Sequence, residues 1–183
     1  MQIRKDFKYK IIKNFLTQEE INLLRDYTIL RIRHDDTNDQ SNKPGVVDLN
    51  FYGDPIMESL MIQKLPLMQK ETELELLPTY TFWRCYTKFA DLPKHKDRPS
   101  CEISTTVNIG SDGTSWPIYM NGTPIDLAPG DAAVYLGCEV LHWREEFKGD
   151  WCSQVFIHYV DKNGPNREFF KDKRRHYGLQ SIW

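Results

Sequence analysis

Long apolar runs are what this chain most plainly lacks. No stretch approaches the roughly 20 residues that cross a bilayer. The N-terminal MQIRKDFKYK is charged, and the apolar residues after it are too few and too broken for a signal peptide. An excess of one charge is missing too. With 24 Lys and Arg against 26 Asp and Glu, the net charge is −2 and the pI near 6.2. That balance gives no global pull toward nucleic acid or an anionic membrane. Cysteine is scarce, and Cys85, Cys101, Cys138 and Cys152 follow no CxxC or CxxxC spacing. This excludes the usual zinc and redox motifs and leaves four reduced thiols of a cytoplasmic protein. Internal repeats and low-complexity segments are absent as well.

What is present is a chain of 183 residues rich in aromatics, with nine Phe, nine Tyr and five Trp. Its length suits a single domain with a substantial core. Residues 1–75 read as mostly helical. Thr17-Gln-Glu-Glu20 is a capping-box start, and the apolar stripe after it predicts a helix over about 18–32. The polar stretch 34–45 predicts an exposed loop. A second helix should start at Asp54-Pro55, with Pro66 kinking or interrupting it. Beyond about residue 76 the rhythm changes. Segments 79–88, 101–109, 115–119, 132–136 and 153–160 are short, β-branched and aromatic, and turn signals such as Asn121-Gly122 and Pro129-Gly130-Asp131 separate them. The fold expected is α+β and mainly β. It is a cupin-like jelly roll, or double-stranded β-helix, over 76–162, with N-terminal support helices and a basic, solvated tail over 163–183.

Against that background three residues stand out. His95-Lys-Asp97 puts an imidazole and a carboxylate at i and i+2, on one face of an extended segment. His142 follows far downstream, past the Pro-Gly-Asp turn and the strand 132–136. Two imidazoles and one carboxylate suit Fe(II), Mn(II) or Zn(II), and a three-ligand site with open positions favours Fe(II) and oxygen chemistry. No fourth ligand of the closed structural-zinc type is evident. A second match, His34-Asp35-Asp36, has no strand around it and reads as surface.

Tyr86 ahead of His95-x-Asp97, the PGD turn and His142 together resemble the 2-oxoglutarate- and Fe(II)-dependent dioxygenases, in their prolyl-4-hydroxylase-like branch. The strings HKDRPSCEIS (95–104), GCEVLHWREEF (137–147) and QVFIHYVDKNG (154–164) are similar to a group of small members of that superfamily. The resemblance covers about residues 77–164. It implies metal ligation by His95, Asp97 and His142. It also implies hydroxylation of a peptide side chain or small molecule, driven by O2 and by decarboxylation of 2-oxoglutarate to succinate and CO2. The family usually places an Arg or Lys about nine to twelve residues after the distal His, to pair with the far carboxylate of 2-oxoglutarate. Here that window reads Trp151, Cys152, Ser153, Gln154, with no cation. If Tyr86 faces the interior, as its family counterpart does, Arg84 faces the same way and could take the role, or could form a structural pair with Glu102. Gln154 could hydrogen-bond the carboxylate. His158, on the same face of its strand, could line the pocket or be a satisfied core histidine. Arg98 with Glu102, and Arg144, could orient the metal ligands.

Three functions suit these residues. One is the oxygenase just described. A second is a nucleic-acid dealkylase on the same scaffold, which the charge balance disfavours. The third is a cupin-like metal-binding module without turnover. Membrane contact is not expected, and the oligomeric state is not legible.

Overall fold

The computed structural model describes residues 8–38 and 49–178, and among these, ten strands and two long helices carry the architecture. In chain order the elements are β1 (Tyr9–Ile12), α1 (Gln18–Asn38), β2 (Leu49–Tyr52), α2 (Pro55–Thr72), β3 (Leu76–Thr87), β4 (Leu92–His95), β5 (Ile103–Ser111), β6 (Ile118–Met120), β7 (Thr123–Ile125), β8 (Ala132–Leu136), β9 (His142–Arg144) and β10 (Trp151–Asp161). All pairings are antiparallel. A six-stranded sheet runs β1-β8-β5-β10-β3-β2 and a four-stranded sheet runs β4-β9-β6-β7. Two antiparallel sheets folded from one β-run make the double-stranded β-helix that the sequence rhythm predicts. Among the described residues no helix is long and apolar enough to cross a membrane.

Both helix starts follow from their caps. Thr17 and Glu20 form the reciprocal box, with the Thr17 amide donating to Glu20 Oε2 at 2.8 Å and the Glu20 amide to Thr17 Oγ1 at 3.2 Å. Asp54 caps α2 by accepting from the amides of Ile56 and Met57, and Pro55 opens it. Two expectations are corrected here. First, α1 continues to Asn38, past its predicted end near 32. Once nucleated, a helix adds residues cheaply even through weak formers. His34-Asp35-Asp36 therefore lies on helical backbone rather than in a loop, and helical periodicity does not align i with i+2. The rest of the predicted loop, from 39, lies outside the described residues. Second, of the two effects expected of Pro66, a kink or an interruption, the interruption does not occur, since α2 runs through it to Thr72. Pro66 and Ile62 are both exposed, so water can take over the hydrogen bond that the proline forfeits.

The N-terminal region also contributes β1 and β2, which the sequence reading missed. They pair with β8 and β3 and form the two edges of the large sheet. Both helices pack against one face of that sheet. Tyr27 of α1 meets the Trp83 ring at 5.5 Å, and the Tyr159 hydroxyl donates to the Met61 carbonyl of α2 at 2.8 Å. Trp83, Val107, Ile109, Val155 and Ile157 are fully buried there. Each such side chain stabilises the fold by about 1.5–3 kcal/mol.

The tail does not float in solvent as expected. A 3₁₀ segment, Arg167–Lys173, carries Asp172 to the Tyr52 hydroxyl (2.5 Å) and to Arg98 (2.7 Å). Arg174 pairs with Glu58 of α2, and both side chains are buried. The basic tail is thus spent partly inside the protein. Its partners lie far away in sequence, which is why composition alone could not place it.

Candidate metal centre

β4 and β9 carry the two candidate histidine ligands. They pair with His95 directly opposite His142, so two imidazoles from distant parts of the chain meet with ring centroids 4.2 Å apart. Asp97 follows two residues after His95. Its amide donates to the Gly137 carbonyl at 2.9 Å, which pins the turn against the loop after β8. Each histidine donates its Nδ1–H to a carbonyl two residues back: His95 to Pro93 at 2.7 Å and His142 to Val140 at 2.9 Å. That leaves both Nε2 atoms free to act as ligands. Each lies 3.5 Å from Asp97 Oδ1. One ligand atom from each of the three residues falls within 4.8 Å of the others. The donor set, the tautomers and the convergence all fit a divalent cation.

Electrostatics support the same fit. Burial alone would raise the Asp97 carboxyl, but the His142 and His95 rings, which donate to it through Nε2 when protonated, hold it well below the usual carboxylate range. Hydrogen bonding to Asp97 also lifts His95 above its ordinary value, against desolvation. The second oxygen of Asp97 is held too. Ser104 Oγ donates to Asp97 Oδ2 at 2.7 Å and lies 3.0 Å from His158 Nδ1, from which it accepts. Burial pushes His158 down to about 4, so its ring is neutral at pH 7. A second convergent group, Asp97, Cys101 and His158, shares the carboxylate. It makes a poor metal site, because burial pushes the Cys101 thiol up to about 12 and the Tyr80 hydroxyl lies 3.0 Å from Sγ.

The three candidate ligands open onto a cavity of ≈ 200 Å³, walled also by Tyr80, Phe82, Arg84, Tyr135, Phe156 and His158. Alternation along β3 and β10 explains the set, since Phe156 stands opposite Phe82. Arg84 and His158 therefore reach the cavity beside the candidate ligands. Tyr86, one alternation further, is fully buried, with its ring 4.7 Å from Trp116 and the Arg84 guanidinium 4.3 Å above it. Gln154 lines a neighbouring cavity of ≈ 440 Å³ together with Asn108, Trp116 and Arg144. The suggested pairing of Glu102 with Arg98 or Arg84 is not what the fold uses. Arg98 meets Asp172, and Glu102 accepts from the Asp161 amide at 3.1 Å.

Three contributors went unnoticed in the sequence. Ser104 needed the fold to bring it to Asp97. Tyr135 lies with its hydroxyl 3.5 Å from His142 Nε2, and strand alternation in AAVYL could have flagged it. Gly137 is required for lack of a side chain. A Cβ there would sit 2.1 Å from the Cys101 carbonyl and 2.5 Å from Asp97 Oδ2.

No protein-family model matches the sequence, and no curated protein matches it. Solved structures do match in fold. A viral collagen prolyl hydroxylase from Paramecium Bursaria Chlorella virus-1, solved as a 2OG complex, is 11% identical, with a TM-score of 0.64 over 86% of this chain and 98% of its own. An oxidoreductase of the 2OG-Fe(II) oxygenase family from Burkholderia pseudomallei is 16% identical, with a TM-score of 0.57 over 91% and 90%. A Pseudomonas putida prolyl-4-hydroxylase is 18% identical, with a TM-score of 0.56 over 84% and 92%. The double-stranded β-helix of this chain is the fold that these oxygenases share.

Proposed function

We propose that this protein is an Fe(II)- and 2-oxoglutarate-dependent dioxygenase that hydroxylates a peptide side chain or a small molecule. The observation that carries the reading is the convergence of His95 Nε2, His142 Nε2 and Asp97 Oδ1, each histidine fixed in the metal-binding tautomer by a backbone carbonyl. Its occurrence on a fold shared with solved 2OG-Fe(II) oxygenases supports the choice of iron and 2-oxo acid over zinc hydrolysis.

His95, Asp97 and His142 would hold the iron. When bound, iron and 2-oxoglutarate supply oxidative decarboxylation of the 2-oxo acid coupled to oxygen insertion into a C–H bond. The chain's own part is positional. Ser104 keeps Asp97 Oδ2 occupied, so that Oδ1 alone is offered to the ion. Phe82, Phe156 and Tyr135 wall the pocket and exclude water. Arg84, Tyr86, Gln154 and His158 are among the interior polar groups from which contacts to the cosubstrate would be drawn. The net charge of −2 leaves a nucleic-acid substrate without its usual electrostatic support.

The test is an anaerobic titration of the protein with Fe(II), with and without 2-oxoglutarate. A visible charge-transfer band that needs both partners is expected, together with succinate formed on admitting oxygen. Metal binding without that band, and without succinate, would leave a metal-binding module and defeat the proposal.

A further inference from the structure

Arg144 is an interior residue whose placement the candidate metal site does not explain. It sits two residues after His142 on β9, so both side chains enter the space between the sheets. The side chain is buried, at 3% exposure. Its guanidinium donates to the Trp116 carbonyl and, at 3.4 Å, to Gln154 Oε1, and it lies 4.8 Å over the Trp116 ring. Nε has no partner. Among the described residues no carboxylate stands within ion-pair distance of it, and Asp126 acts only from further off. A buried guanidinium without an anion is costly to fold. The arrangement makes sense if an anion arrives from outside.

Where that anion would lie follows from the strands. His142 and Phe156 line the metal pocket, while Arg144 and Gln154 line the neighbouring cavity. Each of the latter stands two residues away along its strand, an offset of roughly 6.6 Å. A five-carbon diacid with one end on the metal ligands reaches about that far. Gln154 is neutral, so β10 supplies no charge there, and the fork of Arg144 occupies the space beside it.

We propose that Arg144 of β9 supplies the positive charge for the far carboxylate of the 2-oxo diacid, in place of a cation on β10. The assignment rests on the reading of the site as a 2-oxo-acid-dependent iron centre. It separates Arg144 from Arg84, which lines the metal pocket itself.

The test compares two 2-oxo acids on the anaerobic Fe(II)-loaded protein: 2-oxoglutarate, and 2-oxopentanoate, which lacks the far carboxylate. Binding is read by the visible band and by calorimetry, with no turnover. The wild type should prefer 2-oxoglutarate. Arg144→Met should weaken 2-oxoglutarate by roughly 10- to 150-fold, the worth of one charged hydrogen-bonded contact, while leaving 2-oxopentanoate and Fe(II) affinity where they were. Moving the charge, with Arg144→Met and Gln154→Arg together, should restore the preference, which a merely structural role for Arg144 would not do. Arg144→Lys covers the case in which the Met variant does not fold, and should keep part of the preference. If Arg144→Met retains the full preference, or if Arg84→Met erases it instead, the assignment is wrong while the iron reading stands. If the wild type holds Fe(II) but binds neither acid, the iron–2-oxo-acid reading falls and the assignment with it.

Discussion

Along β5, Ile103, Val107 and Ile109 point toward the helices, Ser104, Thr106 and Asn108 point toward the small sheet, and all six are buried. β10 repeats the contrast, with Val155, Ile157 and Tyr159 outward and Gln154, Phe156 and His158 inward. The same strands thus bury two faces of opposite chemistry. The outer face is an ordinary core whose stability comes from apolar area. The inner face keeps hydroxyls, amides and cations out of water, and satisfies them partly through one another, as Ser104 does with Asp97 and His158. Polar groups held at that cost are the kind that a binding face requires.

Substitutions can break the contrast, starting with the largest effect. His142→Ala should lower affinity for Fe(II) or Mn(II) by more than the roughly 100-fold that loss of an outer partner costs, measured by calorimetry under argon, with the thermal midpoint of the metal-free protein nearly unmoved. An unchanged affinity would remove the inner face from metal chemistry altogether. Trp83→Ala is the reverse case. Its ring stacks on Phe51 at 4.5 Å and donates to Ser153 Oγ at 2.9 Å, so truncation should cost about 3–5 kcal/mol in urea unfolding. Metal affinity of the folded fraction should stay as it was. Gly137→Ala joins the two properties, because the added methyl collides with both backbone and Asp97 Oδ2. A loss of about 10- to 100-fold in metal affinity is expected, and an unaltered titration would show that the turn relaxes freely.

The smallest effect concerns the tail. Burial would raise the Asp172 carboxyl, but hydrogen bonds from Arg98 and Tyr52 bring it below its ordinary 3.8. A depressed carboxyl adds stability that is present above pH 3.8 and is lost as the pH falls through the lowered value. Arg98 is half exposed, so the contribution is at most about 1 kcal/mol. The urea midpoints of wild type and Asp172→Asn should differ at pH 7 and converge in acid. A gap that persists at low pH would assign the tether to packing instead.

Much of the outer face was legible because period and caps are local signals. The starts of both helices follow from Thr17, Glu20 and Asp54, and β8 falls on its predicted residues, 132–136. The strands that escaped notice, β1, β2, β4, β7 and β9, have three or four residues each, too few to display alternation. At the site, His95, Asp97 and His142 could be named because ligand chemistry restricts residue type. Ser104, Gly137 and the part played by Arg144 depend on which chain segments become neighbours. No local pattern encodes that. The docking of Arg174 on Glu58 escaped for the same reason.

The ladder between β4 and β9 is thin, with two registered pairs, Leu92 with Arg144 and His95 with His142, and an irregularity between them. An ion held by both histidines would rivet these strands together more firmly than their own hydrogen bonds do. By mass action, occupancy would then set how often the small sheet opens. Loss of that ion would register first as faster amide exchange along β4 and β9, well before the helices and the large sheet gave any sign of unfolding.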